Sequence, residues 1–193
     1  MRVIAGSAGG IRLDVPKTDV RPTMDRVKAA IFSSLGERII GARVLDLFAG
    51  TGALGIEALS RGAADALFVE ENAAAVAAIE RNLARTKFQG AIRRQDVFAF
   101  LRSTLPRKPF QIIFADPPYE KMRSGEAFTQ LLLADERLAG LLETAGVFVL
   151  EKRPDETLPD ISLWEVDRAK NYGATEVLFL SRASAASLPL TDQ

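Results

Sequence analysis

Residues 44–55 read VLDLFAGTGALG, an apolar strand that runs into a glycine-rich turn and the start of a helix. The strand is predicted at Val44–Phe48 and the helix at Ala53–Ser60. Between them, residues 50–55 match the pattern G-x-G-x-x-G, in which glycine allows a tight turn and lets a ligand approach the backbone. In this position the pattern predicts a site for a nucleotide-containing cofactor. The alternative is a strand–helix turn that requires glycine only for its geometry.

The rest of the chain repeats the order of strand and helix. Further strands are predicted at Ala66–Val69, Ala91–Arg93, Gln111–Ala115 and Gly146–Glu151. Further helices are predicted at Val97–Leu105, at Ala127–Leu133, and from a cap at Asn72 to Ala84. Near-continuous apolar strands that alternate with helices predict a mostly parallel sheet covered on both faces, an α/β fold. The last two strands, Ser162–Val166 and Thr175–Leu180, have only a turn at 171–173 between them and predict a hairpin at the sheet edge.

The first 36 residues are predicted to precede this sheet as a β-hairpin and a helix. The pieces are strands at Val3–Ala5 and Ile11–Val15, a connection at Gly6–Gly10, a loop at Pro16–Pro22, and a helix capped by Thr23 that ends at Leu35. We expect residues 1–182 to form one domain and residues 183–193 to be a flexible tail.

Cysteine and histidine are both absent from the 193 residues. The chain therefore has no disulfide, no thiolate nucleophile and no imidazole base, and a zinc site would need an unusual all-carboxylate shell. We expect no metal. No apolar stretch reaches the length of a membrane span and the start lacks a signal-peptide layout, so the sequence predicts a cytoplasmic protein.

The net charge is zero but unevenly distributed. Residues 1–43 carry eight lysines and arginines against four acids, a charge of +4, and the remainder carries −4. This asymmetry favours a polyanion as the partner of the amino-terminal end. The alternative is a basic surface that is only solvated.

Three carboxylates accompany the ends of the predicted strands. Glu70 ends the second strand, where it can accept hydrogen bonds from both ribose hydroxyls of either NAD or S-adenosylmethionine. Asp46 lies inside the first strand, where dinucleotide sites usually keep the strand apolar, and Asp96 follows the third strand, where it can accept from an adenine amino group. The carboxyl ends of parallel strands meet at one crevice, so these groups should converge. Glu71, Glu151 and Lys152 are assigned structural or solvated roles.

The segment Asp116-Pro117-Pro118-Tyr119 follows the apolar run 112–115. Proline donates no backbone hydrogen bond and holds the preceding residue extended, so two prolines form a stiff loop with carbonyl groups free to accept. A carboxylate, free carbonyls and an aromatic ring suit a planar group that carries N–H donors, such as the exocyclic amine of adenine or guanine. The alternative is an Asx-type turn with a packed ring.

These motifs together resemble the class I S-adenosylmethionine-dependent methyltransferases that act on amino nitrogens. Across nearly the whole chain the sequence is similar to the RsmD family of 16S ribosomal RNA guanine-N2-methyltransferases. The segments that carry this wider likeness are Val3–Gly6, Arg21–Thr23 with Asp25–Val27, Glu57–Ala63 and Lys170–Gly173.

The resemblance implies a Rossmann-like, seven-stranded sheet with a reversed last hairpin, S-adenosylmethionine as methyl donor, and one guanine of 16S rRNA as acceptor. It implies a catalytic loop of Asp116, Pro117, Pro118 and Tyr119, and a cofactor site of Asp46, Phe48, Ala49, Gly50, Thr51, Gly52, Glu70, Asp96 and Val97. The candidate RNA-facing residues are Arg2, Arg12, Lys17, Arg21, Thr23, Arg26 and Lys28, although Arg21 could instead meet the cofactor carboxylate.

The expected substrate is a folded small ribosomal subunit or its assembly intermediate rather than short naked RNA, because the chain has no room for a separate target-recognition domain. A monomer is expected. The alternatives are an adenine-N6 methyltransferase of DNA or RNA, an NAD-binding oxidoreductase, and a nucleotide-binding scaffold without catalysis.

Overall fold

The computed structural model of the protein describes residues 1–15, 22–103, 108–118, 122–123, 126–158 and 161–183. Side chains are not described at 22–24, 122–123 and 126–127. The predictions for Lys17, Arg21, Tyr119, the loop 16–21 and the tail 184–193 therefore lie outside the described residues.

Strands and helices alternate through most of the chain. The strands are β1 Arg43–Leu47, β2 Asp65–Glu70, β3 Ala91–Arg94, β4 Phe110–Ala115, β5 Met122–Arg123, β6 Glu126–Ala127, β7 Leu142–Lys152, β8 Trp164–Tyr172 and β9 Thr175–Arg182. The helices are α1 Pro22–Leu35, α2 Ala53–Ser60, α3 Ala73–Thr86, α4 Val97–Ser103, α5 Phe128–Leu133 and α6 Glu136–Leu141, and a 3-10 turn at Gly36–Ile39 follows α1.

Seven of the described strands form one sheet in the order β3-β2-β1-β4-β7-β9-β8. The first five strands in this order pair with one another in parallel, and β9 runs antiparallel to both β7 and β8. The short strands β5 and β6 pair only with each other. The predicted α/β class, the mostly parallel sheet and the reversed last hairpin are confirmed.

Alternate residues of the central strands are buried on opposite faces of the sheet. On one face Val44 and Phe114 belong to the core that contains α1, α2 and α3 residues, and on the other Leu45 and Ile113 belong to the core that contains α4, α5 and α6 residues. Because both faces are covered, the strands are apolar almost throughout.

Several boundaries differ from the predicted ones. The strand β8 begins two residues later and ends six residues later than predicted. The prediction missed its second half because residues 165–169 of this edge strand are exposed and therefore show no apolar run. The six-residue helix α6 was not predicted, although Asp135 caps it by accepting from the backbone N–H groups of Arg137 and Leu138. Helix α1 begins at Pro22, so Thr23 lies in its first turn rather than at the cap.

The predicted amino-terminal hairpin is reduced to a single antiparallel bridge between Arg2 and Arg12. The backbone N–H of Val3 still donates to the Ile11 carbonyl at 2.9 Å, so the two arms run side by side. What holds this segment is mainly its attachment to the helices.

The carboxylate of Glu57 on α2 is the main attachment. It is fully buried, and its oxygens accept from the backbone N–H groups of Ile4 at 2.7 Å and Ala5 at 3.0 Å. The buried ammonium of Lys28 lies 3.2 Å from Oε2, and the Arg61 guanidinium donates to Oε1 at 2.8 Å. One side chain therefore joins α1, α2 and the amino-terminal segment.

A second attachment comes from Ser60, at the end of α2. Its hydroxyl donates to the Ala5 carbonyl at 2.6 Å and accepts from the Ala8 N–H at 3.0 Å. Gly6 has φ +83°, and a Cβ there would lie 1.8 Å from the Ser60 carbonyl oxygen. Only glycine permits this close approach of the two backbones.

The Glu57→Gln substitution should lower the free energy of unfolding by about 3–5 kcal/mol, because it leaves the buried Lys28 ammonium without its counter-charge. Urea unfolding followed by circular dichroism measures the change. The Glu80→Gln control removes an exposed carboxylate from α3 and should leave the unfolding midpoint unchanged. An equal effect of the two substitutions would contradict this role of Glu57.

Candidate active site

The carboxyl ends of β2, β1 and β4 lie side by side at one edge of the sheet. In the register of β1 with β4, Leu47 pairs with Ala115, so Phe48 and Asp116 are the next residues along the two strands. The charges of Asp116 and Glu70 both act on Asp46, so the three carboxylates are neighbours. The structure brings together the glycine turn and the Asp-Pro-Pro loop, which are distant in sequence.

The turn after β1 has an unusual backbone. Phe48, Gly50 and Gly52 all have positive φ angles, of 55°, 54° and 76°. A bulky residue such as Phe48 rarely adopts this conformation, which the surrounding structure must enforce. A Cβ at Gly55 would lie 2.3 Å from the Phe68 ring and 3.1 Å from Asp46 Oδ2. Glycine is therefore needed for backbone conformation in the turn and for packing at Gly55 in the first turn of α2.

Asp46 is almost fully buried beneath this turn, with 2% of its surface exposed. Its Oδ2 accepts from the Gly55 backbone N–H at 2.9 Å. Burial raises the pKa of Asp46 to about 8, a shift that the charges of Asp116 and Glu70 increase and the hydrogen bond from Gly55 opposes. A cationic group of a bound ligand would favour the ionised carboxylate here.

The Glu70 carboxylate is oriented by backbone donors. Its Oε2 accepts from the Gly50 N–H at 2.9 Å and its Oε1 accepts from the Asn72 N–H at 2.8 Å. An ionised carboxylate has about four acceptor positions, so these two bonds leave capacity for further donors. The glycine turn and the end of β2 are thus held together by the residue that the sequence predicts for a ribose.

Asp96 and Val97 lie at the start of α4. The Asp96 Oδ1 accepts from the Ala99 N–H at 2.8 Å, which places the carboxylate at the helix amino terminus, and Val97 is buried. Since β3 is next to β2, this position belongs to the same edge of the sheet as Glu70. A role for Asp96 with adenine stays a prediction.

An aromatic cluster borders the turn. Phe48 stacks on Phe128 at 5.6 Å with an interplanar angle of 20°, and Phe98 lies 6.3 Å from Phe48 and 5.6 Å from Phe128. Sequence reasoning included Phe48 but missed the other two. Phe98 could have been found from its position two residues after Asp96, whereas no local signal identifies Phe128.

The Asp-Pro-Pro loop follows β4. Asp116 is half-buried, Pro117 is buried and Pro118 is exposed. Tyr119, the fourth predicted catalytic residue, lies outside the described residues.

The predicted structural role of Lys152 agrees with its contacts. Its buried ammonium lies 2.7 Å from Glu176 Oε2 and donates to the carbonyls of Arg153 and Glu156. Its neighbour Glu151 departs from the prediction, because it interacts electrostatically with Asp116 and Asp46 of the candidate site.

The structure describes the side chains of four of the predicted RNA-facing residues, namely Arg2, Arg12, Arg26 and Lys28. Arg2, Arg12 and Arg26 are exposed, and the bridge between Arg2 and Arg12 places them opposite each other. Lys28 requires a correction, because its side chain is only 4% exposed and its ammonium is bound by Glu57 and the Arg2 carbonyl. The Thr23 side chain is not among those described. Arg85, which sequence reasoning missed, is exposed and donates to the Arg12 carbonyl at 2.9 Å.

The fully buried side chain of Asn82 on α3 joins the amino-terminal segment to the glycine turn. Its Oδ1 accepts from the Asp14 N–H at 2.6 Å, and its Nδ2 donates to the carbonyls of Asp14 and Thr51, both at 3.0 Å. Sequence reasoning missed this residue. The signal for it was a polar side chain between Ile79 and Leu83, on the buried face of the helix.

Comparison with known proteins identifies the family. A family model described as "Conserved hypothetical protein 95" matches residues 1–181. The chain is 35% identical over 176 residues to ribosomal RNA small subunit methyltransferase D of Escherichia coli K12, covering 90% of this chain and 85% of that protein. The chain belongs to the RsmD family.

Other members are similar over a comparable length. The protein named "Putative rRNA methyltransferase YlbH" of Bacillus subtilis is 38% identical over 182 residues, with 92% of this chain and 96% of that protein covered. The solved structure titled "Putative methyltransferase yhhF from Escherichia coli" has a TM-score of 0.75 and 32% identity, and covers 94% of this chain and 97% of that one. The fold is that of the class I methyltransferases.

Two of the segments that carry the RsmD resemblance contact each other in this structure, and a third contacts α1. Val3–Gly6 binds Glu57 and Ser60 of the segment Glu57–Ala63, as described above. In the late segment the Lys170 ammonium donates to the Ser34 hydroxyl at 3.1 Å. These family segments therefore hold the amino-terminal extension and α1 on the sheet.

Two kinds of feature, a membrane-spanning helix and a metal-binding cluster, are absent from the described residues. None of their helices combines the length and apolar character needed to cross a bilayer. Their side chains also include no group of three or more histidines, cysteines, aspartates and glutamates arranged to hold a metal ion.

The Asp46→Asn substitution should reduce the pH dependence of stability. The unfolded chain releases the Asp46 proton near pH 3.8, whereas the folded protein keeps it up to about pH 8, so a rise in pH between these values favours unfolding. Between pH 5 and 8 the parent should lose on the order of 2–5 kcal/mol more unfolding free energy than the variant.

Urea unfolding at the two pH values measures this difference, and the amide can still accept from the Gly55 N–H. The Asp65→Asn control removes an exposed carboxylate and should keep the parental dependence. The assignment fails if Asp46→Asn and the parent lose the same stability.

Proposed function

We propose that this protein transfers a methyl group from S-adenosylmethionine to the exocyclic N2 of one guanine in 16S rRNA. The observation that carries the proposal is the pairing of β1 with β4, which sets the Asp116-Pro117 loop beside the glycine turn. A cofactor site and an acceptor site for an amino group are thereby adjacent.

The residues around the turn fit the methyl donor. The positive φ angles at residues 48, 50 and 52 open the backbone to a ligand, and the buried carboxyl of Asp46 suits a cationic amino-acid group. Glu70 would hold the ribose, and Asp96 with Val97 would border the adenine. Phe48, Ala49 and Thr51 complete the turn. When bound, S-adenosylmethionine supplies an electrophilic methyl group on a sulfonium.

The Asp-Pro-Pro loop would orient the acceptor. The lone pair of guanine N2 is delocalised into the ring, so this nitrogen is a weak nucleophile. The Asp116 carboxylate and the Pro117 carbonyl would accept its two N–H bonds and direct the lone pair, while Tyr119 would stack on the base. Positioning of this kind can lower a barrier by roughly 7–11 kcal/mol. The same acceptors stabilise the positive charge that develops on nitrogen.

The RNA would meet the protein at its amino-terminal segment, where the exposed Arg2, Arg12 and Arg26 can neutralise phosphates. The substrate would be a small ribosomal subunit or an assembly intermediate that presents the base already extruded. We place the protein in the cytoplasm, where these particles are found, and propose that it acts as a monomer.

The decisive experiment is to map the methylated nucleotides of 16S rRNA from cells with and without this protein. Loss of one N2-methylguanosine supports the proposal. Transfer of labelled methyl groups to purified particles, followed by nucleoside analysis, identifies the product. N6-methyladenosine as the product would establish the adenine alternative instead, and activity on a short naked hairpin equal to that on the particle would overturn the particle as substrate.

The Asp116→Ala substitution should lower kcat/KM by about 10²–10³-fold, because it removes a positioned acceptor. S-adenosylmethionine binding, measured by calorimetry, should persist. The Asp65→Ala control removes an exposed carboxylate at the start of β2, at the opposite end of the strand from the candidate site, and should leave activity unchanged. A folded Asp116→Ala protein with full activity would refute the assignment.

The double substitution of Arg2 and Arg12 by alanine should weaken particle binding, because fewer phosphates are neutralised. The slope of log affinity against log salt should fall by about one for each phosphate that an arginine no longer neutralises. Binding at several salt concentrations measures this effect. The control is Arg168→Ala, an exposed site on β8. Equal weakening by the control would show that the arginine positions are not specific.

A further inference from the structure

Glu151 lies at the carboxyl end of β7, directly beside the Asp-Pro-Pro loop. The strands β4 and β7 are parallel, and Ala115 pairs with Leu150, so Asp116 and Glu151 are the next residues in the same row. Side chains in one row of neighbouring strands point to the same face of the sheet. Glu151 therefore accompanies Asp116 on the face where Asp46 also lies.

The surroundings of Glu151 do not resemble those of a structural carboxylate. Its charged neighbours are Asp116 and Asp46, and burial together with these two charges raises the pKa of Glu151 well above its usual range. Within the described part of the chain, no hydrogen-bond donor or cation contacts its carboxylate. The next residue, Lys152, is by contrast paired with Glu176 and two carbonyls.

A half-buried carboxylate that lies beside Asp116, with Asp46 one strand further, is destabilised by their charges unless a donor reaches it. Desolvation and repulsion both act against it in the ligand-free protein. A ligand that brings N–H donors to this row would relieve the repulsion. The position therefore favours contact with the base that the Asp-Pro-Pro loop accepts.

We infer that Glu151 is a specificity-determining residue whose carboxylate accepts the N1–H of the target guanine while Asp116 accepts from N2. This inference rests on the proposed guanine-N2 methyltransferase function and extends it to the choice of base.

The chemistry of the two purines supports this division. Guanine presents adjacent donors at N1 and N2, and neighbouring strands about 4.8 Å apart can place one carboxylate at each. Adenine has an acceptor lone pair at N1 beside its amino group, so an ionised carboxylate there would face a lone pair without a proton between them, whereas the N1–H of guanine favours the ionised form of Glu151. A buried acceptor that is left unpaired discriminates strongly against the wrong substrate.

The test compares guanine with 2-aminopurine at the target nucleotide of assembled small-subunit particles. The analogue keeps the 2-amino group but has no proton at N1 and no O6. The parent enzyme should favour guanine in kcat/KM by at least about tenfold. In Glu151→Gln this preference should fall by about tenfold or more, because the amide can donate to the unprotonated N1. The contribution of O6 is the same in both proteins and cancels in the ratio.

The Glu143→Gln control, at the other end of β7, should keep the parental preference, and S-adenosylmethionine affinity measured by calorimetry should be unchanged in both variants. A merely structural role of Glu151 would lower activity on both bases and leave their ratio intact, which would overturn the inference. A parental ratio near one would overturn it without any variant. A parent that does not methylate guanine particles would instead refute the proposed function.

Discussion

The parallel pairing of β1 with β4 is the constraint on which the candidate site depends. It sets the glycine turn beside the Asp-Pro-Pro loop, and the pairing of β4 with β7 adds Glu151 to the same row. The register is fixed because both faces of these strands are buried. A shift of β1 by one residue would turn Asp46 into the apolar core on the opposite face and disrupt the packing of both cores. The geometry of the site is therefore maintained by hydrophobic packing of the strands that carry it.

The amino-terminal segment is joined to this frame through polar groups rather than through a sheet. Glu57 holds its backbone on α2, and Asn82 binds both it and the Thr51 carbonyl of the glycine turn. Buried polar groups of this kind fix one arrangement because an unpaired donor or acceptor would cost about 1–3 kcal/mol. The surface proposed for RNA and the turn proposed for the cofactor are thus parts of one rigid unit.

The sequence allowed prediction of features that depend on neighbouring residues. The strand β1, its glycine turn and the Asn72 cap of α3 follow from local pattern and are present in the structure. Features that depend on tertiary pairing could not be predicted in the same way. Lys28 was predicted to be a surface cation because its partner Glu57 is distant in sequence. Glu151 was assigned a structural or solvated role because the strand register that brings it to Asp116 is not a local property of the sequence.

The separation of charge along the chain supports recognition of an extruded base rather than of a nucleic-acid backbone at the reacting centre. Residues 1–43 carry +4 and can attract phosphates, whereas Asp46, Asp116 and Glu151 meet at the strand ends. Phosphates would be repelled by these carboxylates, but a cationic cofactor and the N–H edge of a base would be attracted. The exposed arginines would therefore hold the RNA outside the site, and only a base turned out of its stack would enter it.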